Sequence, residues 1–509
     1  MGENNFHSDG LHGFTKGLGR MASPAPRALH DARPDPRAGD VRAADIAPQA
    51  WALLQEDVSL PVAVLRESRI EHNLRWMQAF IDRYGVKLAP HGKTTMSPAL
   101  FQRQLAHGAW GITLATAPQV AAAFAHGIRR VLMANQLVGR ANMAIIADLQ
   151  ACGAARAEAK LGAQSDAPLD AKPGAQSDAE PNAQSDTASA FDFCCIVDSA
   201  ANVDALGAYF QARGQRLKVL IEYGVMGGRT GVRDDAQETQ VLAAIRRWPD
   251  ALALVGVELY EGVLREEADI RTFLARVRGC AQRIADAQGF AVPRPILSGA
   301  GSAWYDVVAE EFTAGDAARQ FDVILRPGCY LTHDVGIYRQ ANERIQADNP
   351  VAREMRRSLL PALQVWAYVQ SVPEPGRAII ALGKRDAAFD AGFPTASLHY
   401  RPPGNRPGVG QGEGQGEGQE EGQIAGQKAA VVAPLAAPAP APAPVPAGWE
   451  ITAMLDQHAF MSMPADADLQ VGDMIGFDIS HPCLTFDKWR NLLLVDDAYR
   501  VTGAVATFF

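Results

Sequence analysis

The chain has 509 residues, a formal net charge of −9 at pH 7 and a hydrophobic content of 48%. This length exceeds one average hydrophobic core, so we expect more than one domain. The charge is mildly acidic and no basic block stands out, which argues against nucleic acid as the main partner. No apolar run approaches the roughly 20 residues that span a bilayer, so we expect no membrane partner.

The first 45 residues predict a disordered N-terminal extension. They are rich in Gly, His, Arg, Asp and Pro and contain no apolar segment of the kind that a secretory signal needs. The six cysteines of the chain are sparse and form no CxxC pair. This usage is typical of reduced thiols rather than of a disulfide framework, so we expect a cytoplasmic protein.

Strand patterns and helix patterns alternate along the next part of the chain, after a strand-like segment at 61–65 and an amphipathic helix at 68–84. The strand patterns lie at 86–90, 111–115, 130–135, 193–198, 217–223, 252–260, 295–298 and 323–326. The helical patterns between them lie at 98–107, 118–126, 141–151, 200–213, 235–248, 266–288 and 302–311. Eight such units favour an α/β fold, and we predict a closed (β/α)8 barrel for residues 46–335.

Two low-complexity segments interrupt the order of elements. Residues 159–190 contain Ala-Gln-Ser-Asp three times, and residues 402–447 pass from a Gly/Gln/Glu run into an Ala-Pro run. Neither composition can bury a core. We interpret both as insertions into surface loops, which tolerate added length at small entropic cost.

The pattern changes after residue 327 to short strands separated by turn residues. These strands are predicted at 363–373, 377–382, 448–454, 474–479 and 491–496, with a closing strand within 499–509. One helix is predicted, near 352–360. Residues 336–509 therefore predict a mostly β second domain.

Lys93 lies where α/β folds place their chemistry. The strand pattern at 86–90 ends in His-Gly-Lys-Thr, and Ser97 followed by Pro98 predicts the start of the next helix. A lysine at the carboxyl end of a barrel strand can act as a nucleophile and form a Schiff base. A solvated loop lysine is the alternative that the residues alone leave open.

Three further strand ends carry candidate binding residues. The loop after the seventh strand combines small residues with hydroxyl groups, and a helix begins after it. Such a loop suits an anion such as phosphate. Its members are Ser298, Gly299, Ala300, Gly301 and Ser302. Arg229 follows the fifth strand and Tyr260 the sixth, where each can face a cofactor. The alternatives are a tight turn for the loop, an ordinary ion pair for the arginine and core packing for the tyrosine.

His481 and Cys483 follow a strand of the second domain and are separated by one residue. Imidazole and thiolate are ligands suited to zinc. Two protein ligands are fewer than a structural zinc site needs, so a metal here would keep positions open for water or substrate. A buried cysteine beside a turn histidine is the alternative, and His458 is a further candidate with at most a supporting role.

Six motifs, taken in order, resemble the family of D-serine dehydratases and D-threonine aldolases, which includes bacterial amino-acid deaminases. They lie at 90–94, 229–231, 260–262, 298–302, 326–330 and 481–483. The resemblance covers about residues 61–509 without the two insertions. It implies fold-type III enzymes that use pyridoxal 5'-phosphate and combine an alanine-racemase-type barrel with a β domain.

The resemblance also implies a role for each candidate residue. Lys93 would hold the cofactor as a Schiff base, the loop 298–302 its phosphate, and Arg229 and Tyr260 would lie near its ring. His481 and Cys483 would bind a divalent metal, which is zinc in dehydratases of this family.

The implied reaction is the elimination of water and ammonia from a β-hydroxy D-amino acid such as D-serine, giving a 2-oxo acid. The implied partners are this small-molecule substrate and a second copy of the chain in a homodimer. Two alternatives stay open: retro-aldol cleavage of the D-threonine aldolase type, and a non-catalytic paralogue that binds pyridoxal phosphate.

Overall fold

The computed structural model describes residues 45–165, 190–403 and 441–509. The predicted extension and most of both predicted insertions lie outside these residues. The helix predicted at 141–151 continues to Ser165, so the beginning of the first predicted insertion is helical. Within the described ranges, no helix is long and apolar enough to cross a membrane.

The strands of the described residues are, in chain order, β1 (Val62–Arg66), β2 (Lys87–Leu88), β3 (Ile112–Leu114), β4 (Arg130–Gln136), β5 (Asp192–Val197), β6 (Leu217–Tyr223), β7 (Leu252–Leu259), β8 (Ile296–Gly299), β9 (Asp322–Leu325), β10 (Leu363–Glu374), β11 (Arg377–Ile380), β12 (Thr395–Tyr400), β13 (Ala443–Pro444), β14 (Glu450–Met454), β15 (Ala459–Ser462), β16 (Met474–Asp478), β17 (Asn491–Val495) and β18 (Val501–Ala506).

The α-helices are α1 (Glu67–Tyr84), α2 (Pro98–Ala106), α3 (Ala117–Ala125), α4 (Arg140–Ser165), α5 (Ala200–Gln211), α6 (Asp235–Arg246), α7 (Glu267–Asp286), α8 (Tyr305–Thr313), α9 (Ala317–Gln320), α10 (Ile337–Asp348), α11 (Pro350–Met355) and α12 (Cys483–Phe486). Single 3-10 turns follow three barrel strands, at Gly92–Thr94, Glu261–Val263 and Cys329–Leu331.

Strands β2 to β9 form one parallel sheet of eight strands, in the order β2-β9-β8-β7-β6-β5-β4-β3. The two ends of this sheet meet, because the Trp110 amide donates to the Leu88 carbonyl at 2.7 Å and the Thr113 amide donates to the Pro90 carbonyl at 2.9 Å. The predicted (β/α)8 barrel is therefore confirmed.

Side chains alternate between the two faces of the barrel strands, as they must in any strand. One set packs into a small separate cluster that includes Leu132, Cys194 and Leu220. The other set packs with the surrounding helices in a much larger cluster. This two-layer packing fixes the strand ends, and with them the loops that carry the candidate residues.

Ten strands form the second sheet, whose main path is β13-β12-β16-β10-β1-β17-β18. This confirms a mostly β second domain. Strand β1 pairs antiparallel with β10 and parallel with β17, so it belongs to this sheet although it precedes the barrel in the chain. Three of its strands, β12, β13 and β15, and the helices α10 and α12 have no counterpart among the sequence predictions.

The second domain reaches the barrel opening through the segment that follows β16. Residues 479–482 lead from this strand into α12, which contacts the 3-10 turn Gly92–Thr94 at the end of β2. The segment that carries His481 and Cys483 is therefore placed beside the turn that carries Lys93.

Candidate active site

Lys93 lies in the 3-10 turn that directly follows β2. The turn needs glycine at position 92, because a Cβ there would approach Phe101 to 2.7 Å and Ile112 to 2.9 Å. Lys93 is exposed, and no hydrogen bond or ion pair to another described residue engages its ammonium group. Its Nζ is thus available at the carboxyl end of the barrel.

His91 lies beside Lys93 and is held neutral. Burial lowers its pKa well below the ordinary value, and the nearby positive charges of Lys93, Arg326 and Arg229 lower it further. Its Nδ1 is buried and has no hydrogen-bond partner in the described structure. These three cations therefore act on one point at the barrel opening, which favours an anionic ligand there.

A buried ion pair lies below this opening and joins the ends of β7 and β9, the two strands on either side of β8. Glu258 on β7 is 1% exposed, and its Oε1 lies 2.6 Å from an Nη atom of Arg326, which follows β9. Burial raises the pKa of Glu258 to about 7, although Arg326 lowers it. The second oxygen of Glu258 is buried without a partner, so the pair leaves one acceptor free inside the site.

The variant Glu258→Gln tests the electrostatics of this pair. Burial raises the pKa of Glu258 from its ordinary 4.5 to about 7, so its contribution to stability is fully present below about pH 4.5 and is lost as the pH rises through about 7. Glutamine does not titrate. We therefore expect the free energy of unfolding of the variant, measured in urea at about pH 5 and about pH 8, to fall less with pH than that of the unmodified protein.

The matched control is Glu267→Gln, which removes a carboxylate from the partly exposed pair with Arg271. We expect this control to keep the pH dependence of the unmodified protein. A Glu258→Gln protein with the same pH dependence would contradict the assignment of a raised pKa to Glu258.

The loop 298–302 uses much of its hydrogen-bonding capacity within the chain. Ser298 donates its hydroxyl to the Ile324 carbonyl at 2.9 Å and accepts from Arg326 at 3.1 Å. The amides of Ala300 and Gly301 donate to the two carboxylate oxygens of Glu261, at 3.1 and 2.7 Å. In this structure these two amides are therefore occupied by the chain's own Glu261.

Ser302 differs from the rest of this loop. Its Oγ accepts from the amides of Gly328 at 3.2 Å and Cys329 at 3.1 Å. A hydroxyl that accepts twice still has its own hydrogen to donate. Ser302 also lines a small cavity with Cys329 and Tyr338. Within the loop 298–302, the Ser302 hydroxyl is therefore a donor suited to the phosphate of a bound cofactor.

Arg229 and Tyr260 lie together at the barrel opening. The guanidinium carbon of Arg229 is 5.4 Å from the centre of the Tyr260 ring, and an Nη atom of Arg229 is 3.8 Å from Glu222 on β6. The ring packs against the backbone of Gly301, where a Cβ would approach it to 2.9 Å. Both side chains stay partly exposed, so they can contact a ligand that also reaches Lys93.

His481 and Cys483 lie in the segment that the second domain contributes. His481 Nδ1 is 2.7 Å from a carboxylate oxygen of Asp390. Cys483 Sγ lies 3.4 Å from the Thr94 hydroxyl and 3.8 Å from Cys329 Sγ. Cys483 is therefore in contact with the residue that follows the predicted Schiff-base lysine.

The electrostatics of this segment favour a thiolate. Hydrogen bonds with Cys329, His481 and Thr94 lower the pKa of Cys483 below its ordinary value. In turn, Cys483 and Asp390 raise the pKa of His481 to about 9. Among the described residues, no three His, Cys, Asp or Glu side chains already form a metal-holding group. His458 lies in the turn between β14 and β15.

Several residues of this site were not assigned a role from the sequence. They are His91, Thr94, Glu258, Glu261, Cys329, Asp390 and Gly328, whose amide donates to Ser302. Glu222 and Glu258 carried one usable signal, since each is an acidic residue at the carboxyl end of a predicted strand. Asp390 and Cys329 carried none, because their partners lie 91 and 154 residues away in the chain.

Two family models match the chain. The alanine racemase N-terminal domain matches residues 65–333, and a serine dehydratase domain matches residues 362–495. The chain belongs to the family that combines these two domains, an alanine racemase N-terminal domain and a serine dehydratase domain. Its members are fold-type III enzymes that depend on pyridoxal phosphate, as the resemblance in the sequence implied.

Two curated relatives match this member of the family. A D-threonine aldolase from Arthrobacter sp. is 28% identical over 343 residues, which are 66% of this chain and 75% of the aldolase. A D-threo-3-hydroxyaspartate dehydratase from Delftia sp. is 29% identical over 246 residues, which are 47% of this chain and 54% of the dehydratase.

Solved structures show the same fold. A D-threonine aldolase from Filomicrobium marinum superimposes with a TM-score of 0.63 at 20% identity, covering 90% of this chain and 97% of that chain. The Delftia dehydratase superimposes with a TM-score of 0.57 at 20% identity, covering 90% of this chain and 99% of that chain. Two of its variant structures replace a histidine and a cysteine two positions apart, and the cysteine variant is in a metal-free form.

Proposed function

We propose that this family member is a metal-dependent lyase that eliminates water and ammonia from a β-hydroxy D-amino acid, such as D-serine, to give a 2-oxo acid. One observation carries the proposal: Cys483 Sγ lies 3.4 Å from the hydroxyl of Thr94, the residue next to Lys93. This contact supports the proposal, because it sets the predicted metal ligand Cys483 against the turn that carries the lysine proposed for the cofactor.

The residues present fit pyridoxal phosphate. Lys93 offers an amine free of ion pairs to the described residues, and Ser302 retains a hydroxyl hydrogen for the phosphate. Arg229 and Tyr260 flank the space between them. The buried, unpartnered atoms His91 Nδ1 and Glu258 Oε2 mark polar positions that a bound group can satisfy.

The residues present also fit a divalent metal. Cys483 has the lowered pKa that a thiolate ligand needs, and the hydrogen bond between His481 Nδ1 and the Asp390 carboxylate fixes the orientation of the His481 ring. The donor set of sulfur and imidazole suits zinc, and we propose zinc as the metal. In the proposed site, Lys93 reaches the substrate from the barrel, and His481 and Cys483 reach it from the second domain.

The two bound groups supply the chemistry that side chains lack: pyridoxal phosphate withdraws electrons from the α-carbon, and the metal polarises the β-hydroxyl. Lys93 holds the cofactor and then moves the α-proton at its Nζ. His91 stays neutral beside it and adds no competing positive charge. Arg229 and Tyr260 orient the ring, and the buried pair of Glu258 and Arg326 supports the floor of the site.

Retro-aldol cleavage is the second candidate, because the D-threonine aldolase match spans 75% of that relative. The same residues would hold the metal in both reactions. Elimination breaks the bond between the β-carbon and its hydroxyl, whereas cleavage removes the hydroxyl proton and breaks the bond between the α- and β-carbons. The His-Pro-Cys spacing at 481–483 favours elimination, since the dehydratase variants alter a histidine and a cysteine at that same spacing.

Two further parts of the proposal concern the state of the protein. We propose a homodimer, as the resemblance implies. We also propose a cytoplasmic location, because all six cysteines are free thiols and free thiols suit a reducing compartment.

Product analysis tests the proposed reaction. The purified enzyme, loaded with pyridoxal phosphate and zinc or manganese, is given a panel of β-hydroxy D- and L-amino acids. We expect ammonia and a 2-oxo acid from D-substrates only. Glycine and an aldehyde would establish the aldolase reaction instead, and no product from any substrate would establish the non-catalytic alternative.

A further inference from the structure

Cys329 is a buried thiol that faces the proposed metal ligands from the barrel side. It begins the 3-10 turn Cys329–Leu331 after β9 and is 4% exposed. Its Sγ lies 3.8 Å from the Sγ of Cys483, which belongs to the second domain. Its amide donates to the Ser302 hydroxyl, so the thiol is tied to the loop proposed for the cofactor phosphate.

The distance between the two sulfur atoms matches that of a shared metal. Zinc binds thiolate sulfur at about 2.3 Å in tetrahedral geometry, which places two thiolates on one zinc about 3.8 Å apart. Cys329 and Cys483 have this separation before any metal is added. The two domains therefore already hold the sulfur atoms where one zinc ion can join them.

The neighbouring His481 would add a third donor once a bound metal draws the three side chains together, because the described residues do not already form such a group. It lies two residues before Cys483, and its Nδ1 hydrogen-bonds with the Asp390 carboxylate, which fixes the orientation of the ring. Two cysteines and one histidine form a ligand set that catalytic zinc sites use, with the fourth position open for water or substrate.

We propose that Cys329 is a third protein ligand of the metal, which is then held by Cys329, His481 and Cys483 across the domain boundary. The inference deepens the proposed function and rests on it, because it places the metal at His481 and Cys483. Two thiolates balance the charge of one Zn²⁺ ion, and soft sulfur ligands select zinc over magnesium or manganese. Three protein ligands would leave one position open for water or substrate.

Cobalt substitution counts the thiolates directly and needs no turnover. The enzyme carrying pyridoxal phosphate is kept reduced, stripped of metal and titrated with Co²⁺, and the sulfur-to-cobalt charge-transfer absorbance is compared between variants. We expect Cys329→Ser to lose about half of this absorbance per bound cobalt. We also expect its affinity for zinc to fall at least about tenfold, since even residues behind the ligands contribute that much.

Cys152→Ser is the matched control, because Cys152 is an exposed thiol on α4, and we expect it to leave both readouts unchanged. X-ray absorption of the zinc forms is the second measurement: two sulfur ligands are expected in the unmodified protein and one in Cys329→Ser. Circular dichroism checks that the variant is folded, and Cys329→Ala serves as the replacement if it is not.

The outcomes separate the two proposals. If Cys483→Ser removes the charge-transfer absorbance and Cys329→Ser leaves it and the zinc affinity unchanged, the metal role of the proposed function stands and the third ligand is wrong. If the unmodified protein binds neither cobalt nor zinc, the metal role itself is wrong, and Cys329 has no ligand role either.

Discussion

Lys93→Ala lowers kcat/KM by at least about 10³-fold and abolishes covalent attachment of pyridoxal phosphate. Both effects have one cause in the proposed mechanism, because the same Nζ holds the cofactor and moves the α-proton. Proton transfer alone contributes about 10² to 10⁴-fold in enzymes. The measurements are steady-state kinetics and the visible absorbance of the purified protein after dialysis against cofactor-free buffer.

Lys87→Ala is the matched control for this loss. Lys87 lies on β2, the short strand that precedes the turn of Lys93, and its Nζ pairs with Asp322 at 2.8 Å on the barrel. We expect this variant to keep both activity and bound cofactor. A Lys93→Ala enzyme that retains its cofactor absorbance and its rate would refute the role assigned to Lys93.

Cys483→Ala separates cofactor binding from elimination. The side chain is in contact with Thr94 and Cys329 and makes no bond to Arg229, Tyr260 or Ser302 in the described structure. We therefore expect normal cofactor binding and a loss of at least about 10²-fold in kcat, because the hydroxyl leaves unassisted when the metal is lost. Kinetics on the cofactor-loaded variant, with and without a chelator, measure this.

Removing the metal with a chelator and then adding zinc back completes the test of the role proposed for Cys483. A chelator should inactivate the unmodified enzyme, and zinc should restore it, whereas neither treatment should change Cys483→Ala. Cys280→Ala is the matched control, since Cys280 is a buried thiol on α7 and should respond as the unmodified enzyme does. A rate that the chelator leaves unchanged in the unmodified enzyme would show that no metal takes part.

The barrel was predictable because its signals are local. Each strand pattern is an apolar run of a few residues followed by turn residues, and parallel strands of this kind are buried on both faces. The sequence could not show that β1 joins the second sheet, because its partners Leu363 and Leu493 lie about 300 and 430 residues later. Strand β12 was missed because its burial is mixed rather than alternating.

The candidate site was predictable in its positions but not in its bonding. Strand order placed Lys93, Arg229, Tyr260 and the loop 298–302 at one end of the barrel, since all follow barrel strands. The sequence did not reveal that Glu261 accepts hydrogen bonds from the amides of Ala300 and Gly301, because such bonds depend on how two loops approach each other. Resemblance, rather than spacing, linked this end of the barrel to the second domain.

Mapping the lysine that carries the cofactor tests the central proposal most directly. The enzyme is loaded with pyridoxal phosphate, reduced with borohydride, digested and analysed by mass spectrometry. We predict that the phosphopyridoxyl group is found on the peptide that contains Lys93 and on no other. A label on Lys87, Lys218 or any other lysine, with Lys93 unmodified, would contradict the account of the active site.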